Sequence, residues 1–196
     1  RRTGGGPARP PCSVAGASRP SKATMARYRH ALPQLGTQPF LTDGGIETTM
    51  IFHEGLELPH FAAFDLLRTE EGTDALRRYF QTYADLAQSL GVGLVLESAT
   101  WRASLDWGER LGYSQGELAQ ANRSAIGLLE SIRDKAGTRF PVVISGCIGP
   151  RGDGYVPDRA MSVAQASDYH RAQVEVFADT EADMVCAITM NYVEEA

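Results

Sequence analysis

An acidic residue followed by two glycines is the first place in this chain where the residue types suggest chemistry. Asp43, Gly44 and Gly45 directly follow a short apolar segment, residues 39–42, that reads as a β-strand. Glycine lets the backbone turn tightly or approach a ligand closely, and ligands of α/β proteins bind at the carboxyl ends of strands. We therefore predict that these three residues bind substrate. An Asp-Gly turn without chemistry is the alternative interpretation.

Later strand ends also carry polar or glycine-rich sequence. Residues 97–104 read ESATWRAS, and residues 145–150 read SGCIGP. Trp101, in the first of these segments, is a candidate border for a cationic ligand, because an indole face attracts sulfonium and quaternary ammonium groups. Packing in the core is the alternative role for Trp101.

The segments with polar or glycine-rich sequence lie within a predicted alternation of strands and helices. Four apolar stretches predict strands over residues 39–42, 92–97, 140–145 and 184–188. Periodic apolar residues predict a helix over residues 73–90 that stops at Gly91. Ser114 with Glu117, and Ser162 with Gln165, indicate the capped starts of two further helices. Residues 193–196 are expected to begin another helix.

Strands separated by single helices pair in parallel with right-handed crossovers. We predict an α/β fold that comprises the first four β/α units of a (β/α)8 TIM barrel, apparently truncated. A small doubly wound sheet is the alternative that periodicity leaves open. No GxGxxG motif follows the first strand, so a dinucleotide-binding version of that sheet has no support.

Composition and charge narrow the class of protein. The chain has 196 residues, of which 43% are hydrophobic and 22% are charged, enough to bury a core. Residues 1–42 hold seven Lys and Arg and no acid, which leaves 12 basic and 24 acidic residues in 43–196, a net charge of -12. An acidic body argues against a nucleic-acid groove, and no apolar run reaches the roughly 18 residues of a membrane span.

The cysteines and the N-terminal residues bear on the cellular compartment of the protein and on where its folded part begins. Cys12, Cys147 and Cys186 lie far apart and show no CxxC spacing, which favours a reducing compartment and a cytoplasmic protein. Residues 1–24 are rich in Gly, Pro, Ser and Arg and are expected to be a disordered leader. A transit peptide is the alternative for this leader. We expect Met25 to be the natural start, with residues 25–196 forming the barrel segment.

Three motifs recur in one order at three successive strand ends: Asp43-Gly44-Gly45, residues 97–104 and residues 145–150. Together they resemble the homocysteine S-methyltransferase family, from about residue 40 to the end of the chain. The resemblance implies a (β/α)8 barrel and methyl transfer from an onium-type donor to a thiol. It adds Ser98 and Thr100 to the substrate-binding candidates. The catalytic residues are not identified.

The resemblance also implies a zinc cofactor that converts the acceptor thiol to a thiolate. The family takes its zinc ligands from cysteines after the sixth and eighth strands, and these positions lie beyond Ala196. Cys147 and Cys186 do not match them, so we expect no metal ligand in this chain and no activity from this segment alone. Buried cysteines on strands are usually small core residues.

One residue departs from the pattern that the resemblance implies. An acid after the fourth strand holds the amino group of homocysteine in well-known members, and Ile188 stands at that position. Isoleucine accepts no hydrogen bond, so another thiol or a selenol is an alternative acceptor. A second interpretation of the whole chain is a non-catalytic half-barrel module, or an inactive fragment, that associates with itself or with another chain.

Overall fold

Within the part of the chain that the structure describes, four parallel strands are separated by five α-helices. The computed structural model describes residues 26–155 and 160–196, so the leader predicted over residues 1–24 lies outside the described residues. The strands are β1 (Phe40–Thr42), β2 (Gly93–Glu97), β3 (Val142–Ile148) and β4 (Met184–Ala187). The α-helices are α1 (Ile46–Phe52), α2 (Glu70–Leu90), α3 (Leu105–Arg110), α4 (Gln115–Ala136) and α5 (Val163–Ala178). Three 3₁₀ helices span Pro33–Leu35, Pro59–Phe61 and Ala63–Arg68.

The sheet has the strand order β1-β2-β3-β4, and every pair is parallel. Helix α4 packs against α2 on one side and against α5 on the other. Right-handed crossovers that always step in the same direction keep their helices on one face of a sheet, whereas a doubly wound sheet reverses its strand order. The described strands show no such reversal. The arrangement is therefore a singly wound parallel α/β sheet.

The core lies between the sheet and its helices. The strand residues that face the helices are aliphatic and fully buried, as expected of parallel strands covered on that face; they include Leu94, Leu96, Val142 and Ile144. Gly146 lies on this same face of β3. A Cβ atom there would come within 2.6 Å of the Phe177 ring. Glycine at this position therefore lets α5 pack directly on the sheet.

Local capping explains where the helices begin and end. The capping boxes predicted at Ser114 and Ser162 are both present, and Gly91 ends α2 with a φ of 65°. Helix α2 begins at Glu70, three residues before the predicted start, because the Thr69 side chain accepts a hydrogen bond from Gly72 N. The short helices α1 and α3 were not predicted from the sequence pattern.

Two further predictions are corrected by the structure. Strand β3 runs to Ile148 rather than ending at Ser145, because its pairing with β4 continues through residues 145–148. Part of the third motif therefore lies in the sheet and not in a loop. The predicted helical start at residues 193–196 is a turn in the structure.

The amino ends of the strands are closed by a buried ionic cluster. The Arg133 side chain, 2% exposed, bonds to Asp183 at 3.2 Å and to Glu181. Asp183 also accepts hydrogen bonds from Ile144 N at 2.9 Å and from Tyr28 N at 2.8 Å. The segment before β1 is thereby fastened to this edge, and the carboxyl ends of the strands stay open for a ligand.

Candidate functional site

A cleft of about 410 Å³ lies at the carboxyl ends of the strands. Five of the six predicted substrate-binding residues line it, and Thr100 does not; the five are Asp43, Gly44, Gly45, Ser98 and Trp101. The lining also includes residues that the sequence did not single out for binding: Glu47, Phe61, Glu97, Tyr155 and Thr189. The strand-end motifs thus meet in one place, although they are far apart in sequence.

Asp43 is held at the base of this cleft by two hydrogen bonds. Its carboxylate accepts from Glu97 N at 2.9 Å and from the Tyr79 hydroxyl at 3.3 Å. Burial raises the pKa of Asp43 to about 7, and the nearby Glu97 carboxylate adds to the increase. The two hydrogen bonds oppose it without cancelling it. Asp43 therefore changes its charge near neutral pH, which is a property common at functional sites.

The two glycines are required for close approach and not for a left-handed turn. A Cβ atom on Gly44 would lie 2.8 Å from the Tyr83 hydroxyl oxygen, and one on Gly45 would lie 2.4 Å from Thr48 Oγ1. Gly44 N donates to the Tyr79 hydroxyl at 3.0 Å. Gly45, with a φ of -77°, caps the start of α1. A larger residue at either position would require the Tyr83 or Thr48 side chain to move.

The hydroxyls of Ser98 and Thr100 join the end of β2 to β3. Ser98 Oγ accepts from Cys147 N at 3.0 Å, and Thr100 Oγ1 donates to Cys147 O at 2.7 Å. The two hydroxyls lie 2.6 Å apart. Since the Thr100 proton goes to the carbonyl, the Ser98 proton must go to Thr100. Thr100 is fully buried, and binding of substrate by either residue stays a prediction.

Trp101 forms one wall of the cleft. Its indole Nε1 donates to Thr189 Oγ1 at 2.8 Å, and Thr189 adopts a φ of 57°. The Arg102 guanidinium lies 4.4 Å from the Trp101 ring and 3.7 Å from the Trp107 ring. A Cβ atom on Gly149 would lie 2.3 Å from the Trp101 carbonyl oxygen. The indole is thus held in a fixed position, while part of its side chain stays exposed.

Glu97 is the functional candidate that sequence reasoning missed. It ends β2, and its side chain lies on the cleft face of the sheet with Ser145 opposite it on β3. Burial raises the pKa of Glu97, and nearby Ser145, Cys147 and Cys186 partly offset that increase. A charged residue that closes an otherwise apolar strand was the available signal.

The thiols beneath the cleft are poorly suited to chemistry of their own. Cys147 and Cys186 face each other across β3 and β4. Burial raises the pKa of Cys147 well above its ordinary value and that of Cys186 to about 11. Both therefore stay protonated at neutral pH, whereas a metal ligand or nucleophile must be a thiolate. Within residues 26–155 and 160–196, no group of three or more His, Cys, Asp or Glu could hold a metal ion. The described residues do not fit a zinc site.

The fold and this cleft define a parallel α/β protein with a ligand site at the carboxyl edge of its sheet. The chain matches the model of the homocysteine S-methyltransferase family over residues 40–196. Because this match covers most of its length, the chain belongs to the homocysteine S-methyltransferase family. A search of curated proteins found no significant match.

Two solved structures resemble this fold. Both are of the homocysteine methyltransferase MmuM from Escherichia coli, one metallated and one oxidized. The metallated form is 19% identical, with a TM-score of 0.64 over 85% of this chain and 58% of that one. The oxidized form is 18% identical, with a TM-score of 0.68 over 86% and 59%. At this identity the likeness shows the fold. The chain spans less than two thirds of their length.

No helix in the described part of the chain is both long and apolar enough to cross a membrane.

Proposed function

We propose that this chain is part of an S-methyltransferase that moves a methyl group from an onium donor to the sulfur of homocysteine or a related thiol or selenol. In this reaction the acceptor thiol or selenol loses its proton to solvent, and its sulfur or selenium forms a bond to the methyl carbon. The bond between that carbon and the positively charged sulfur or nitrogen of the donor breaks, and its electron pair stays on the donor. Membership of the family supports the reaction class.

The observation that carries the proposal is the position of Asp43. The Asp43 carboxylate, whose pKa is raised to about 7, meets the Gly44–Gly45 segment and the Trp101 wall at one cleft. In this proposal Asp43 holds the polar head of the acceptor. Trp101 borders the positive charge of the donor, since a Trp face is the best of the aromatic rings for attracting a cation.

The architecture that we propose for the whole protein is a (β/α)8 barrel, of which β1 to β4 are one half. The continuous strand order and the helices on one face support it. In this proposal, a zinc ion that activates the acceptor is held by ligands outside the described residues. What the described residues supply is binding and orientation of the two substrates. We place the protein in the cytoplasm, as its cysteine usage suggests.

Methyl transfer tests this function. A longer natural form of the chain, if one is expressed, is incubated with homocysteine and with either S-adenosylmethionine or glycine betaine, and methionine is measured. We expect methionine from one donor and weaker acceptor binding in Asp43→Asn with the fold unchanged. Unchanged acceptor affinity in a folded Asp43→Asn variant would remove Asp43 from the site. Absence of methyl transfer to any thiol or selenol would refute the reaction.

A second candidate function is a non-catalytic half-barrel that pairs with another chain or with itself. Among the described strands, β1 and β4 each have one unpaired edge. Val185 on β4 is 43% exposed, and it lines a shallow apolar groove with Val174 and Phe177. Sedimentation and hydrophobic-dye binding of residues 25–196 test this candidate. It predicts that the segment self-associates or binds the dye. A monomer that melts cooperatively without binding a hydrophobic dye would contradict it.

A further inference from the structure

Two buried amide side chains meet between helices α4 and α5. Asn122 lies on α4, Gln173 lies on α5, and both are almost completely shielded from solvent. Gln173 Nε2 donates to Asn122 Oδ1 at 3.0 Å, so the two side chains join the helices. An apolar pair would fill the same space without the cost of removing two amides from water. The other groups that this pair binds are therefore informative.

Both amides bond to the turn that carries Trp101. This turn runs from Thr100 to Ala103 and is closed by a hydrogen bond from Ala103 N to Thr100 O at 2.9 Å. Gln173 Nε2 donates to Thr100 O at 3.0 Å, at the start of the turn. Asn122 Nδ2 donates to Ala103 O at 2.9 Å, at its end. The two side chains thus hold the turn at both ends, with the tryptophan between them.

The hydrogen bonds fix the orientation of each amide. Asn122 Nδ2 also donates to Leu118 O at 3.0 Å, so both of its partners are carbonyls and its oxygen faces Gln173. Gln173 Nε2 faces the Thr100 carbonyl, which can only accept. Gln173 Oε1 therefore points elsewhere, and it reaches no hydrogen-bond partner among the described residues. A buried polar atom without a partner is a cost that folded proteins accept mainly at functional sites.

The indole of Trp101 is held from a different side. Its Nε1 atom donates to Thr189 Oγ1 at 2.8 Å, and a Cβ atom on Gly154 would lie 3.0 Å from the ring. These contacts hold the edge of the ring, whereas its position relative to the strand ends depends on the backbone of the turn. Contacts that depend on geometry weaken when a group moves by about 1 Å. A loosened turn would therefore displace the wall of the cleft.

We propose that Asn122 and Gln173 are positioning residues that hold the Trp101 wall where it contacts the cationic methyl donor. This proposal rests on the proposed function, in which Trp101 borders the positive charge of the donor. Neither amide is part of the cleft lining, so both act through the turn and not on a ligand. The helices outside the sheet thereby set the shape of one side of the cleft.

Fluorine NMR of the 196-residue chain labelled with 5-fluorotryptophan tests this inference. The chain has two tryptophans, and the Trp107→Phe variant assigns their signals. Gln173→Met keeps the length of the side chain and removes its N–H donors, and Asn122→Ala releases the other end of the turn. Ser162→Ala is the matched control, because it removes the α5 capping box without contacting the turn. Circular dichroism melts measure how much each variant is destabilised.

We expect Gln173→Met and Asn122→Ala each to shift or broaden the Trp101 signal in the folded chain, and Ser162→Ala to leave it unchanged. Binding of tetramethylammonium, followed by the same signal, should weaken about 3-fold in both amide variants, as for the loss of one exposed cation–π contact.

An unchanged Trp101 signal and unchanged affinity in whichever amide variant folds would overturn the positioning role. The same change in Ser162→Ala would also overturn it, because a general loss of stability would then account for the effect. A wild-type Trp101 signal that does not respond to tetramethylammonium would overturn the donor contact on which the proposal rests. Failure of the methionine assay with tetramethylammonium bound at Trp101 would refute the proposed reaction alone.

Discussion

Replacing Asp43 with Asn should stabilise the protein, and by an amount that grows with pH. The pKa of Asp43 is raised by burial, so the folded state binds this proton more tightly than the unfolded chain does. Stability from this group is fully present below the unfolded pKa of 3.8 and is lost as the pH rises through the folded pKa of about 7. Asn is uncharged at every pH, so the Asp43→Asn variant does not lose this stability as the pH rises.

The magnitude follows from the two pKa values. At about 1.4 kcal/mol per pKa unit, the difference between 3.8 and about 7 corresponds to about 4 kcal/mol above neutral pH. About 3 kcal/mol of this loss accumulates between pH 5 and pH 8. The Asn side chain keeps an oxygen that can still accept from Glu97 N, so the hydrogen bond that orders the strand ends survives.

Urea unfolding at pH 5 and pH 8 measures the effect. The stability of Asp43→Asn relative to wild type should increase by about 3 kcal/mol between the two pH values. Asp74→Asn, on the exposed surface of α2, provides the matched control for removing one carboxylate. A constant difference between Asp43→Asn and wild type at both pH values would refute the argument that Asp43 is desolvated.

The other predictions concern the supports of the cleft. Arg133→Met should lower the free energy of unfolding in urea by about 3–5 kcal/mol, because Asp183 would stay buried without its partner; an unchanged midpoint would contradict this. Ser114→Ala should lower it by about 1 kcal/mol through loss of the α4 capping box, and the exposed Ser89→Ala serves as its control. Purified residues 25–196 should contain far less than one zinc per chain, since the described residues hold no suitable ligand group; stoichiometric zinc in metal analysis would contradict the reasoning.

The stability and binding predictions for Asp43 oppose each other for one physical reason. The burial that raises its pKa costs stability in the free protein, and an ammonium group in the cleft would remove that cost. Acceptor binding should therefore strengthen as the pH rises through about 7, where Asp43 loses its proton. The groups that face Asp43 are Glu97 on β2 and Tyr79 on α2, and Tyr79 stays protonated over this range because its pKa is raised by burial. A flat pH profile of homocysteine binding between pH 6 and pH 8 would argue against Asp43 as a contact.

Local patterns in the sequence were enough to predict the four strands and the three long helices, α2, α4 and α5. Ser114 and Ser162 cap their helices as predicted, because a capping box involves residues only three apart. Gly91 ends α2 for an equally local reason, since the left-handed conformation favours glycine. The apolar stretches of β2 and β3 were recognisable because parallel strands are buried on both faces. Asp43 could be placed at a strand end by the same means.

Only the tertiary structure decided what the residues at the strand ends do. Ser98 and Thr100 have similar side chains two positions apart, yet Ser98 lines the cleft and Thr100 lies beneath it. Their hydrogen bonds go to Cys147, some fifty positions away, so no local pattern reveals them. Glu97 likewise becomes a partner of Asp43 only when parallel pairing brings the ends of β1 and β2 to one edge. Burial and charge at a site depend on neighbours distant in sequence, whereas caps and strand patterns depend on neighbours along the chain.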